Sequence, residues 1–380
     1  MIRLIFTLLF LCHGAAAQVV VDPERTAVRD GWWQLEVQVG LSSVTPYRLF
    51  TLDNPRRLVV DFQGAEWPDV MREGMLSGNR ATGLHFGALD TEWSRLVVDL
   101  AGPMRVTEAA MTRTDAGADL AIVLKRTKAR AFAAEAGAPV QARVFEPVAM
   151  PMPETDVDGF TVVIDPGHGG IDPGALRGGV KEAELMRLLG LEVAQAVNQL
   201  DGVQVVMTRD RDVFVPLDAR VTFARAVGAD LFISLHADAL EEDDASGASV
   251  YTLSKDGGSS ASRRMVERHE RGDLLAGVDL ADHGDRVATV LMDLARAETG
   301  PRGRQFADLL ISEMKTAGVR VNGRPHREGQ LAVLTAADFP SVLIEVGFLS
   351  NAQDRAQLAN ATGRARIVSA ITEAVAEFTQ

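Results

Sequence analysis

The sequence predicts an α/β protein: a C-terminal α/β/α domain with a mostly parallel sheet, preceded by a small all-β domain. Three observations carry this. From Phe160 onward, the hydrophobic runs "TVVIDPG", "VQVVMTR", "LFISLHAD", "ASVYTLS" and "SVLIEVGFLS" are separated by helical stretches, the alternation of a sheet flanked by helices. Residues 18–126 instead read as short strands: in "WWQLEVQVGL" Trp33, Leu35, Val37, Val39 and Leu41 alternate with Gln34, Glu36, Gln38 and Gly40, the period of two of a half-buried strand. A weak internal repeat follows, with "LDNPRRLVVDF" (52–62) returning as "LDTEWSRLVVDL" (89–100). A turn ahead of each Arg-Leu-Val-Val-Asp strand suggests a two-sheet β module.

The 380 residues suit two domains and a linker. The linker is expected at 127–157, where Ala, Pro, Glu and Met dominate without sustained periodicity. A formal charge of −13 argues against nucleic acid as a partner, because phosphate-backbone binding relies on a surface rich in Lys and Arg. Residues 1–17 carry Arg3, then an apolar run, then Ala15-Ala16-Ala17. This is the pattern of a cleaved secretory signal peptide, too short for a comfortable membrane span. Its removal takes with it Cys12, the only cysteine, and so excludes a disulfide scaffold and thiolate chemistry.

The residues that carry chemistry lie in the second half. In "VVIDPGHGG" a strand runs into Asp165-Pro166-Gly167 and then presents His168 on a glycine loop. "LFISLHAD" delivers His236 in the same way. In an open α/β sheet, ligands gather beyond the carboxyl ends of the strands, and two histidines placed there are half of a zinc site. In "KEAELMRLLGLEVAQAVNQL" (181–200) the helix face of Leu185, Leu189 and Val193 continues back to Glu182, while Glu184 falls beside Arg187 as a solvated ion pair. An inward carboxylate needs a positive partner, which a metal ion supplies. Glu345 interrupts the aliphatic run "SVLIEVGFLSN" (341–351). It reads either as a salt-bridged structural acid or as a general base beside the metal, the latter completing a catalytic pattern.

Taken together, "VVIDPGHGGIDPGA", "KEAEL", "SLHAD" and "VLIEVGFLSN", in that order over roughly 160–380, resemble the zinc-dependent N-acetylmuramoyl-L-alanine amidases of bacterial cell-wall remodelling. The segment containing "PYRLFTLDNPRRLVVDF" resembles the AMIN domain that precedes this catalytic domain in periplasmic members. The resemblance implies His168, Glu182 and His236 as ligands of one Zn²⁺ and Glu345 as the catalytic glutamate. It implies hydrolysis of the amide between N-acetylmuramic acid and the L-alanine of the stem peptide, during daughter-cell separation, with peptidoglycan as substrate and AMIN ligand. The alternatives are a zinc peptidase acting within stem peptides and a non-catalytic wall-binding protein. Septal relatives also carry a helix that plugs the groove until a partner with a LytM-type domain removes it. Here "SASRRMVERHERGDLLAG" (260–277) reads as that helix. By register the plugging glutamate of the relatives falls at His269, with Glu270 adjacent. The expected domains are therefore signal peptide 1–17, AMIN-like domain 18–126, linker 127–157 and zinc amidase domain 158–380.

Overall fold

The computed structural model describes residues 18–67, 74–138, 159–239, 245–254, 262, 263, 265–267, 269, 270, 273 and 286–380, with the backbone alone at 286–298. The expected signal segment 1–17, residues 139–157 of the expected linker and residue 158 lie outside the described residues.

The first domain is all β until residue 126. One sheet is formed by β1 (Val19–Asp30), β2 (Gln34–Leu41), β5 (Ala65–Glu66), β6 (Leu76–Ser77), β9 (Met104–Thr114) and β10 (Gly117–Arg126). The other has the order β3 (Tyr47–Leu52), β4 (Arg57–Gln63), β8 (Trp93–Leu100), β7 (Ala81–Ala88). Along β2 the alternation holds, with Leu35, Val37, Val39 and Leu41 in the core and Glu36 and Gln38 outward. Trp33 does not follow it. That residue precedes the strand, in the turn closed by the bond from Gly31 N to Gln34 O, and is 78% exposed.

The internal repeat has a structural meaning. Its two copies become β4 and β8, adjacent and antiparallel, in the register Arg57↔Asp99, Val59↔Val97, Asp61↔Arg95. Pairing a segment antiparallel to its own copy sets each arginine opposite an aspartate. At one end Arg95 donates from Nε to Asp61 Oδ1 at 2.6 Å and from Nη2 to Oδ2 at 2.9 Å, with both residues buried. Asp61→Ala would leave the guanidinium buried without that counter-charge, and is expected to cost about 3–5 kcal/mol. Urea denaturation measures this, and a loss under about 1 kcal/mol would mean the arginine escapes to water.

Residues 127–138, expected to begin the linker, instead fold back on this domain. Helix α1 (Ala129–Glu135) buries Phe132 among the core residues, and Gly137 N donates to Thr51 O at 2.8 Å. One aromatic residue in an Ala-rich stretch makes no period, yet suffices to anchor a short helix.

The second domain is a six-stranded sheet between two helical layers. Its order is β14 (Val203–Met207), β11 (Phe160–Pro166), β15 (Leu231–His236), β18 (Ser341–Glu345), β16 (Ala248–Leu253), β17 (Val321–Gly329). All neighbours are parallel except β16 and β18. The continuous apolar runs have the composition of strands buried on both faces. Val162 and Ile164 pack toward α2 (Glu182–Val197), α4 (Arg286–Thr316) and α6 (Ala361–Phe378). Val163, Phe232 and Leu343 pack toward α3 (Leu217–Ala226) and the turn at Ala332–Leu334. Helix α5 (Ala352–Ala359) follows β18, and β12 (Leu176–Arg177) pairs with β13 (Val180–Lys181) ahead of α2. Among the described residues, no helix is long and apolar enough to cross a membrane.

Candidate active site

The carboxyl ends of β11, β15 and β18 align, with Pro166 opposite Leu235 and His236 opposite Glu345. His168 stands just beyond β11 in left-handed backbone, at φ 60°, a conformation that costs a non-glycine residue about 1–2 kcal/mol. Two arginines hold it there. Arg220 donates to the His168 carbonyl at 2.9 Å, and Arg209 to the Gly167 carbonyl at 2.7 Å. Glu182, first residue of α2, is 1% exposed, as its place on the apolar face predicts. Glu184, outside that face, pairs with Arg187.

Three donor atoms converge. His168 Nε2 lies 3.1 Å from Glu182 Oε1 and 3.2 Å from His236 Nδ1, and His236 Nδ1 lies 3.4 Å from Glu182 Oε1. A tetrahedral ion with bonds of ~2.0–2.1 Å has ligand–ligand edges of about 3.3–3.4 Å. The triangle thus has the size that one zinc-like ion spans, and two imidazoles with one carboxylate are its chemistry. The orientations are fixed from behind. Asp172 Oδ2 accepts from His168 Nδ1 at 2.7 Å, which turns Nε2 inward. Glu182 takes backbone N–H bonds from Ala175 and Ala237, both at 2.8 Å.

Electrostatics agree. Burial opposes the charged form of His168, yet the carboxylates of Asp172 and Glu182 raise its pKa well above the ordinary imidazole range. Burial and the positive charge of neighbouring imidazoles push His236 down to about 3. Against its own burial, Glu182 is held well below the usual carboxylate range, chiefly by His168.

Glu345 is fully buried. Its Oε2 accepts from Asp238 N at 2.9 Å, while Oε1 has no hydrogen-bond partner among the described residues and stands 3.4 Å from His269 Nε2. Burial raises its pKa, and the His269 ring partly offsets this. Glu345 thus has one carboxylate oxygen bonded to backbone and the other facing the His269 ring.

The described residues of 262–273 are helical and cover the site. The His269 ring lies 4.1 Å from that of His236 and 5.8 Å from that of His168, centre to centre. His168, His236 and His269 offer nitrogen atoms within 4.8 Å of one another. Glu270 does not join them. It is half-buried on the next helical position, where one helical step turns a side chain about 100° from its neighbour. Asp273, one turn on, accepts from Leu217 N at the start of α3 at 3.1 and 3.3 Å. The space left among His168, His236, His269, Arg220 and Asp273 is about 10 Å³, room for a water at most.

The pattern of the N-acetylmuramoyl-L-alanine amidase family matches residues 162–377, more than half of the chain, and that of the AMIN domain matches residues 28–123. The chain belongs to the N-acetylmuramoyl-L-alanine amidase family. It is 30% identical to the N-acetylmuramoyl-L-alanine amidase AmiC of Neisseria meningitidis over 96% of this chain and 92% of that one. Similarity to AmiA of Escherichia coli is 36% over 57% of this chain and 75% of that one. Among solved structures, AmiC2 of Nostoc punctiforme aligns at a TM-score of 0.43 with 27% identity, covering 58% of this chain and 96% of that one.

Within this amidase fold, several residues at the site escape a reading of the sequence alone. Buried Asp165 accepts from Arg220 at 2.7 Å, Ser234 at 2.7 Å and Thr208 at 2.5 Å, tying β11, β14 and β15 together under the histidines. The argument that singles out Glu345, a charge inside an aliphatic strand, applies equally to Asp165. Asp172 and Asp273 carry no such signal.

Proposed function

We propose that His168, Glu182 and His236 hold one Zn²⁺, that Glu345 is the general base, and that the site works in the periplasm on peptidoglycan. The donor triangle, with Glu345 opposite His236 on the neighbouring strand and its Oε1 without a hydrogen bond among the described residues, carries this reading. When bound, zinc supplies Lewis acidity that polarises the amide carbonyl and acidifies water. Asp172 keeps the His168 ring turned inward, and the two N–H bonds to Glu182 keep its carboxylate aimed. Glu345 takes a proton from the attacking water on Oε1 and returns it to the L-alanine nitrogen as the amide breaks. Its raised pKa suits it to the second task. Digestion of purified sacculi tests the whole reading. Stem peptides released with an intact L-alanine amino terminus support it, whereas shortened stems left on the sugar would make the enzyme a peptidase, and no release a wall-binding protein.

The same reading makes the enzyme self-inhibited, with His269 as the plug, awaiting a partner of the LytM type that the family resemblance implies. His269 carries this reading: its ring lies 4.1 Å from that of His236, and its Nε2 stands 3.4 Å from Glu345 Oε1. Asp273 adds a second hold. Burial, with the charges of Asp218 and Asp172 and against those of Arg220 and the Leu217 N–H, raises it to about 7. A carboxyl whose pKa is higher in the closed than in the open form favours closure at low pH. That preference weakens as pH rises from about 4, the ordinary carboxylate value, toward 7, and is level above it. Asp273→Asn, which mimics the protonated form, is expected to lower activator-free turnover at pH 7 several-fold. At pH 5 the gap to the wild type should narrow. A ratio of the two rates that stays constant from pH 5 to 7.5 would remove Asp273 from the latch.

A further inference from the structure

The loop that presents His168 is completed by the other domain. From Gly167 to Gly174 it has almost no regular structure, with positive φ at His168, Gly169, Gly170 and Gly174. Such a loop keeps its shape only if its backbone groups find outside partners. Gly167 N donates to Leu235 O at 2.9 Å, Gly169 and Asp172 bond each other, and Gly170 N donates to Asp212 Oδ1 at 2.8 Å. The Ile171 N–H alone in this set goes to the N-terminal domain, donating to Ala88 O, at the end of β7, at 2.9 Å. Its side chain does the same: Ile171 is fully buried in a cluster of Phe50, Val59 and Val97 from the first domain with Phe214 from the second.

Two glycines make room for this contact. A Cβ on Gly87 would overlap the Gly170 carbonyl and come within 2.8 Å of Ile171 N, and a Cβ on Gly170 would overlap the Ala88 carbonyl. The contact lies next to the chemistry in sequence, since Ile171 precedes Asp172, whose carboxylate turns the His168 ring.

We infer that the N-terminal domain is a positioning element of the metal loop: docked through Ala88 and the Phe50–Val59–Val97 face onto Ile171, it fixes Asp172 and hence His168. This rests on the proposed zinc site and adds to it a structural duty for the domain beyond reaching the wall. Without the docked sheet, the Ile171 side chain and N–H face water, and the loop loses the hold nearest Asp172. Outer groups that orient metal-bound histidines are worth about 10–100-fold in metal affinity.

Gly87→Val is the wedge that tests this. Gly87 lies outside the left-handed region, so the added side chain is opposed by the facing loop and not by its own backbone. Zinc affinity of the full chain is measured by chelator competition for the wild type, Gly87→Val, Ile171→Ala, Ile171→Val and the double variant Gly87→Val/Ile171→Ala. The expected result is about tenfold weaker zinc for Gly87→Val and for Ile171→Ala, with near-wild-type affinity for Ile171→Val. The double variant should be no worse than either single one, because both break one contact. On a small soluble muropeptide at saturating zinc, kcat should fall with KM little changed. Unaltered zinc affinity in Gly87→Val, or additive losses in the double variant, would overturn the inference. Should Gly87→Val fail to fold, the pair Ile171→Ala and Ile171→Val decides it alone. A wild type that binds no zinc would instead refute the metal site itself.

Discussion

Glu345→Gln is expected to retain zinc and to lose about 10²–10⁴-fold in kcat, the range of a removed general base. The amide has the shape of the carboxylate and still accepts from Asp238 N, so the fold gains an uncharged group where a buried acid stood. His168→Ala and His236→Ala are expected to behave differently, losing zinc and activity together, because each removes one corner of the triangle. Metal analysis of the purified variants beside their rates separates the two roles. Zinc lost from Glu345→Gln as fully as from His168→Ala would make Glu345 a ligand and leave the base unassigned.

Removal of the plug has the opposite sign. His269→Ala is expected to raise activator-free hydrolysis of purified peptidoglycan at least tenfold, equivalent to moving an open population from about a tenth or less to dominance. Zinc content should be unchanged, since the triangle does not include His269. Glu270→Ala should stay within about twofold of wild type, because one helical step turns a side chain about 100° from that of His269. An activator has only to bind the open form more tightly to produce the same rise. Unchanged basal activity in His269→Ala, with zinc retained, would mean that His269 covers the site without governing it.

Much of this was legible in residues alone. A charge inside a strand buried on both faces has few explanations, so Glu345 stands out before any fold is known. The helical period places Glu182 inward and Glu184 outward, and both lie there. The Arg-Leu-Val-Val-Asp repeat announces two related strands, though not that they pair with each other. Strand β17, "VNGRPHREG", was not legible: it is an edge strand with polar residues and little period to detect.

The sequence by itself determined the fold class, the two-domain order, the family and the residue types of the site, because backbone period and the cost of burying charge act locally and leave marks in the order of residues. Tertiary structure decided the rest. It placed the His269 ring against that of His236, since the rotation of a covering helix is set by what Met265 and Asp273 pack against and not by its own period. It turned Trp33 to solvent and drew Phe132 into the core. It also placed Ala88 against Ile171, a contact between positions 83 residues apart in the chain. Such a contact leaves no local mark: each partner is an ordinary residue on its own strand or loop, and only the packing of one domain on the other makes the pair.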